Sequence, residues 1–271
     1  MIKQPRAPSS SRPVGELLRE WRAKRRMSQL DLAIEVGVST RHLSFVETGR
    51  AAPSREMLLR LAEQLDVTLR GRNALLVAAG FAPMFRERTL DDPQLATARA
   101  AVDTILKGHE PHPALAIDRH WNLLAANRAV TAMLADVDLT LLQPPINVLR
   151  LSLHPRGLAP RIANLAEWRA HLLHRVAQQI DASGDFELAE LLEELRAYPA
   201  PALATGHVSD VGSNVAVPFR LRVEGGELVF FSTTTVFGTP VDITLEELAL
   251  ECFFPADEAT AAAMRALLDA T

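Results

Sequence analysis

Three groups of side chains in this sequence are of kinds, and at spacings, that could do chemistry. His171 and His174 lie three apart, so a helix would turn both to one side, where they could hold a metal ion with His154 or Glu167 as a further ligand. They sit among Leu165, Trp168, Leu172 and Leu173, with Arg169 and Arg175 close by, and that company reads as the edge of an amphipathic helix. No metal site is expected. Cys252 is the sole cysteine, which excludes an intramolecular disulfide and any multi-cysteine cluster within one chain. Between Glu251 and Phe253 in an apolar run, it reads as a buried, inert thiol rather than a nucleophile. The third group is Thr40, Arg41, His42, Ser44 and Phe45, with Gln29, Ser39, Arg50 and Arg55 around it. These bring hydrogen-bond donors, cations and one aromatic ring into a short stretch. No nucleophile elbow, phosphate loop or dinucleotide fingerprint occurs, and the pairs Glu193-Glu194 and Glu246-Glu247 read as helix surface. Nothing assembles a catalytic constellation, so no enzyme is expected.

The formal net charge of −4 conceals an uneven split. Residues 1–90 hold 16 Lys/Arg against 9 Asp/Glu, a balance of +7, whereas residues 91–271 hold 13 against 24, a balance of −11. A basic first third suits a polyanion such as DNA, whose counterions are released on contact with Lys and Arg, and the acidic remainder would repel it. A length of 271 residues suits two domains, and 48% hydrophobic with 23% charged residues describes an ordinary globular chain. The N-terminus lacks an apolar signal region and there is no uninterrupted run of 18 apolar residues. A cytoplasmic protein without membrane association is expected.

Periodicity places the third group on a short helix. Residues 1–13, rich in Ser, Pro and Arg, read as a flexible arm. From Val14, apolar residues recur at helical spacing through Leu17, Leu18 and Trp21, and the run Lys24, Arg25, Arg26 ends that helix. Ser28 and Asp31 suggest a capping box for a second helix, which turns Leu32, Ala33 and Val36 inward and stops at Gly37. Ser39 caps a third helix, closed by Gly49, and Ser54 a fourth that holds Met57, Leu58, Leu61, Ala62 and Leu65. A fifth, residues 72–79, ends at Gly80. Residues 14–82 are thus expected to form an all-α five-helix domain. Residues 83–112 read as a connector with a helix over 94–107, broken by prolines two apart in HEPHP. Residues 113–271 turn α+β. A strand pair over 114–126 surrounds an Asp-Arg-His turn, and helices follow from Asn127, after Arg161 and over 186–198. Residues 199–214 read as a loop, then strands at 215–223 and 227–236 flank Glu224-Gly225-Gly226, and a last helix spans 260–270.

The segment SQLDLAIEVGVSTRHLSFVETGR, residues 28–50, has a spacing with a steric reason. Two helices crossing steeply need a small residue at closest approach, Ala33, a glycine in the turn, Gly37, and apolar residues facing back, Leu43 and Val46. Thr40, Arg41, Ser44 and Phe45 then point outward. The segment resembles the helix-turn-helix of the phage-repressor type, the Xre family, and the likeness extends over roughly residues 14–80. That resemblance implies a third helix entering the major groove of double-stranded operator DNA by its N-terminal end, where Ser39 stands. Arg41 would bond guanine O6 and N7, Thr40 and Ser44 either base edge, and Phe45 a thymine methyl. Gln29 would hold a phosphate together with its helix N-terminus, and His42, Arg50 and Arg55 would contact phosphates, positioning without specifying. Phe45 departs from the polar residue more common in such helices, so packing at a dimer contact is its other reading.

The runs HPALAIDRHWNLLAANRAV, residues 112–130, and INVLRLSLHPRGLAPRIANLAEW, residues 146–168, resemble the ligand-binding domain of MmyB-like transcriptional regulators. The likeness covers roughly residues 113–255. It implies a PAS-like fold, a sheet with helices enclosing an apolar pocket, and a small apolar effector, a fatty-acid-like lipid being the candidate; no other cofactor is implied. Ile117, Trp121, Leu123, Leu165, Trp168, Leu172, Phe219 and Phe230 carry enough apolar bulk to line such a pocket. Arg119, Asn127, Arg150 and Arg175, with His120 and His154, are the choices for a head group, Asn127 having the alternative of bonding backbone at a helix start. The expected protein is therefore multidomain, all-α then α+β PAS-like, a homodimer that binds DNA and is switched by an effector, with the 94–107 helix as lever. Two other classes stay open: a ligand-independent DNA-binding protein whose second domain dimerises or recruits a partner, and a metal-dependent or hydrolytic enzyme with an appended DNA-binding domain.

Overall fold

The computed structural model describes residues 12–134, 136–199 and 217–269. Most of the expected arm, the body of the 199–214 loop, and Ala270 lie outside the described residues. Contacts divide the chain into two units, one running to Arg88 and including Thr239–Glu246, the other formed by Thr89–Gly238 and the chain from Glu247 on.

Unit 1 contains α1 (Val14–Lys24), α2 (Gln29–Val36), α3 (Thr40–Glu47), α4 (Arg55–Gln64) and α5 (Leu69–Ala78). Their starts are chemical. The Ser28 hydroxyl accepts from the Asp31 amide at 3.1 Å while the Asp31 carboxylate accepts from the Ser28 amide at 3.1 Å, closing the expected box. Ser39 and Ser54 accept from the amides of His42 and Met57. α5 begins three residues ahead of the expected position because Thr68 caps it, accepting from the Gly71 amide at 3.2 Å. Gly37, with φ 73°, supplies the left-handed turn between α2 and α3. The core is a set of fully buried leucines, among them Leu18, Leu32, Leu43, Leu58, Leu61, Leu65, Leu75 and Leu76.

Gly15 has a packing role that helical periodicity does not disclose. A Cβ built there would lie 2.5 Å from the carbonyl oxygens of both Val46 and Glu47, so α1 and α3 meet backbone to backbone. Backbone cannot swing aside as a side chain can. Gly15→Ala is therefore expected to lower stability by about 1–3 kcal/mol despite the better helix propensity of alanine, a loss that a urea unfolding midpoint would register.

Unit 2 opens with α6 (Ala96–Gly108), which buries Val102 and Leu106. There follow β1 (Ala114–Ile117), β2 (Leu123–Ala126), α7 (Arg128–Met133), α8 (Val148–Leu153), α9 (Leu165–Ser183), α10 (Phe186–Ala197), β3 (Phe219–Val223) and β4 (Gly226–Val236). The chain then supplies the Thr239–Glu246 segment of unit 1, with α11 (Ile243–Glu246), before β5 (Ala249–Pro255) and α12 (Glu258–Asp269) complete unit 2. The strands form one antiparallel sheet in the order β2-β1-β5-β4-β3. The hairpin pairs β1–β2 and β3–β4 were readable from turns and alternation. β5 was not, because Leu250, Glu251 and Cys252 are all buried and a strand covered on both faces loses its period of two. α8 escaped for a different reason: six residues are too few for a helical period to repeat.

The Thr239–Glu246 segment is held within unit 1 by polar groups. Both Glu246 carboxylate oxygens accept from the Leu69 amide, at 3.0 and 2.8 Å, at the start of α5. The buried Asp242 carboxylate pairs with Arg88, and the Ile243 amide donates to the Arg86 carbonyl at 3.0 Å.

Candidate nucleic-acid interface and ligand cavity

The inner face of α3 is fixed by Leu43 and Val46, both at 0% exposure, against Leu32, Ala33 and Val36 in the same core. Its outer face carries Arg41 and His42 exposed and Thr40, Ser44 and Phe45 half-buried. Phe45 is the organiser of that face. The Arg41 guanidinium lies 5.3 Å from the ring centroid and that of Arg50 lies 6.0 Å from it, so one ring steadies two cations. The Ser39 hydroxyl is engaged by the His42 amide at the start of α3, and Arg55 stands exposed at the first position of α4.

Gln29 has a partner that residue types alone did not announce. Its Nε2 donates to Glu47 Oε2 at 2.7 Å, and the same carboxylate accepts from Arg22 Nε and Nη2 at 2.7 and 2.9 Å. Arg19 Nη2 adds a bond to the Glu47 carbonyl at 3.2 Å. One buried acid thus ties α1 and α2 to the end of α3. Burial by itself would raise the Glu47 carboxyl, but the hydrogen bonds from Arg22 and Gln29 outweigh it and hold the group below the usual carboxylate range. A signal was available: Glu47 follows Leu43 by four and Val46 by one, on the face that the helical repeat sends inward. An acid there demands a cation.

Unit 2 contains a half-open cavity of about 110 Å³. Six of the expected residues line it: Trp121, Leu123, Trp168, Leu172, Arg175 and Phe219. Trp121 sits at φ 65°, a rare setting for a bulky residue, in a turn where its amide donates to the Asp118 carbonyl. Its indole Nε1 donates to Gln179 Oε1 at 3.0 Å, and the Arg175 guanidinium lies 4.7 Å from its ring centroid. Trp168 Nε1 donates to Ser152 Oγ at 3.0 Å, so both indoles are held in place. The walls also include Met133, Ser152, Glu251 and Phe253, which sequence reasoning did not select. Glu251 and Phe253 are two apart on β5, hence on one face, and a lone acid in an apolar run was the available cue.

The remaining candidates are placed elsewhere. Ile117 and Phe230 belong to the packed core, Phe230 at 0% exposure behind Phe219 and Phe253, and Leu165 packs half-buried against it. Arg119 pairs with Asp185 at 3.0 Å and Glu247 at 3.6 Å. Arg150 grips Glu194 with Nε and Nη2, both at 2.8 Å, and Tyr198 donates to the same carboxylate. Burial and the Glu194 contact push the Tyr198 hydroxyl up to about 12. Asn127 is saturated by backbone: its Oδ1 accepts from Ala114 and Val130, and its Nδ2 donates to the carbonyls of Leu106 and His112 at 3.1 and 2.8 Å. Asn127→Leu would strand those buried groups and is expected to lower stability by about 1–3 kcal/mol, read from a denaturant midpoint. Burial and then Arg175 lower the His171 imidazole, leaving it neutral at pH 7, and burial raises the Cys252 thiol. Among the described residues, no three or more His, Cys, Asp or Glu gather to hold a metal, and no helix is long and apolar enough to cross a membrane.

Similarities to known proteins fall on the same two regions. The helix-turn-helix family matches residues 18–71, and the family described as MmyB-like transcription regulator ligand binding domain matches residues 98–267. Two relatives named multiprotein-bridging factor 1, from Debaryomyces hansenii and Candida albicans, are each 33% identical over 60 residues, 22% of this chain. The chain spans about 40% of the length of these curated relatives.

Proposed function

Since this chain belongs to the MmyB-like transcription regulators and joins a helix-turn-helix to a ligand-binding domain, we propose that it binds an operator as a homodimer under the control of a small apolar effector. The observation that carries this reading is the apolar cavity of unit 2, walled by Trp121, Leu123, Trp168, Leu172 and Phe219 in a chain whose α3 keeps Arg41 and His42 exposed. In this reading Thr40, Arg41, Ser44 and Phe45 face base edges, with Ser39 at the entering helix end. Gln29, His42, Arg50 and Arg55 contact phosphates; Gln29 Nε2 gives one hydrogen to Glu47 and has a second for a phosphate oxygen. A dimer places two copies of α3 about 34 Å apart to meet successive major grooves. The effector is small and apolar, with a fatty-acid-like alkyl chain as the candidate, and the fold around it is PAS-like, which a single antiparallel sheet and helices around an apolar cavity support. The protein acts in the cytoplasm and catalyses no reaction.

Control is a matter of linkage. An effector that prefers one arrangement of the dimer shifts the separation of the two α3 helices, and so operator affinity. The α6 region is one lever. The Thr239–Glu246 segment is another, because it belongs to unit 1 yet lies in the chain between β4 and β5, and β5 contributes Glu251 and Phe253 to the cavity. Native mass spectrometry of protein purified without added lipid, paired with selection of bound sequences from random duplex DNA, tests the reading. A dimer mass, a retained small molecule and enrichment of two half-sites about one helical turn apart are expected. Failure to enrich any sequence would overturn operator binding, and operator affinity unchanged by a verified ligand would overturn effector control.

A further inference from the structure

The polar groups of the cavity are unusual for a site that takes an anion. Arg175 is the cation in its wall, and Glu251 lies beside it in the same wall, with Arg175 Nη2 donating to Glu251 Oε1 at 2.6 Å. Thr234 ties the pair together: its hydroxyl accepts from Arg175 Nη2 at 3.1 Å and donates to Glu251 Oε1 at 2.8 Å. The Glu251 side chain is 6% exposed, so water does little to screen it. The positive charge is spent inside the wall. What is left over is donors. Among the described residues, Arg175 Nε and Nη1 have no acceptor, and the Ser152 hydroxyl, which accepts from Trp168 Nε1, has no acceptor for its own hydrogen. Around them the wall is leucine, valine, methionine, proline, tryptophan and phenylalanine.

We infer that the cavity selects an apolar molecule whose polar end is an uncharged oxygen acceptor, such as a ketone, ester or lactone carbonyl, and discriminates against a carboxylate on the same skeleton. A neutral carbonyl takes hydrogen bonds from Arg175 and Ser152 and leaves the Arg175–Glu251 pair intact. A carboxylate brings a second anion beside the buried Glu251 carboxylate, with one guanidinium to serve both. The inference rests on the reading of this cavity as the effector site, and refines its chemistry.

The test compares 2-decanone with decanoate, equal in carbon count and the latter ionised at pH 7.5. The full-length protein is titrated with each, followed by tryptophan fluorescence, since Trp121 and Trp168 line the cavity, and by calorimetry. The ketone is expected to bind at least tenfold more tightly than decanoate. Glu251→Gln, which leaves Arg175 with an uncompensated charge, is expected to reduce that preference at least tenfold. Wild-type protein binding decanoate as tightly as the ketone, or tighter, overturns the inference while leaving the effector site standing, and it does so without any variant. A preference that Glu251→Gln does not move also overturns it. Binding of neither compound would sink the effector-site reading itself, and this inference with it.

Discussion

Glu47→Ala is expected to lower the unfolding midpoint of unit 1 by at least about 10 °C, and operator binding should go with it. The carboxylate is almost wholly buried and receives two bonds from Arg22 and one from Gln29. Removing one partner of a buried pair leaves the others desolvated and unmatched, which costs about 3–5 kcal/mol, against about 4–8 °C per kcal/mol for a domain of this size. Hydrogen exchange in α1, α2 and α3 is the readout, because it reports this unit separately from the other. Glu47→Gln keeps one acceptor oxygen and should recover part of the loss. Protection indistinguishable from wild type in the alanine variant would mean that the carboxylate organises nothing. The same group predicts an acid limb. Its folded pKa is depressed, so its stabilisation is complete above the ordinary value of 4.5 and is lost as pH falls from there through the depressed value. Glu47→Gln should flatten that part of the pH profile.

Arg41→Ala is expected to weaken operator binding by about 1–3 kcal/mol, roughly 5- to 150-fold, while barely altering affinity for unrelated duplexes. Arg41 is exposed on the outer face of α3 and is steadied by the Phe45 ring, so in the proposed reading the two-pronged hydrogen bonding to guanine would be partly set before DNA arrives. Arg55→Ala should act differently, weakening all sequences alike and reducing the salt dependence by about one counterion. Binding titrations on the selected operator and on a scrambled duplex, at several salt concentrations, separate the two behaviours. Equal losses on both duplexes for Arg41→Ala would assign it to the phosphate backbone. Phe45→Leu offers a third comparison: if the ring steadies Arg41, this variant should lose part of the same discrimination.

Much of unit 1 was legible before any fold was known, because its information is local. Ser28, Ser39 and Ser54 start helices, Gly37 and Gly80 end them, and each acts on backbone within a few residues. The outward set of α3 followed from the period of Leu43 and Val46. The apolar content of the cavity was legible too, since Trp121, Trp168, Leu172 and Phe219 announce bulk whatever their neighbours. Three things were settled by tertiary structure alone. Gly15 matters through carbonyls more than thirty residues away, Asn127, whose cap on α7 was legible, is also consumed by backbone at Leu106, His112 and Ala114, and Glu251 meets Arg175 across 76 residues of chain. A head-group candidate is useful only if it has donors that nothing else has claimed: for Arg119 and Arg150 the claimants are acids that no local pattern could pair with them, and Arg175, paired with Glu251 through Nη2, is the one of the three in the cavity wall. Residue type states what a side chain can bond; the fold decides which of those bonds are already made.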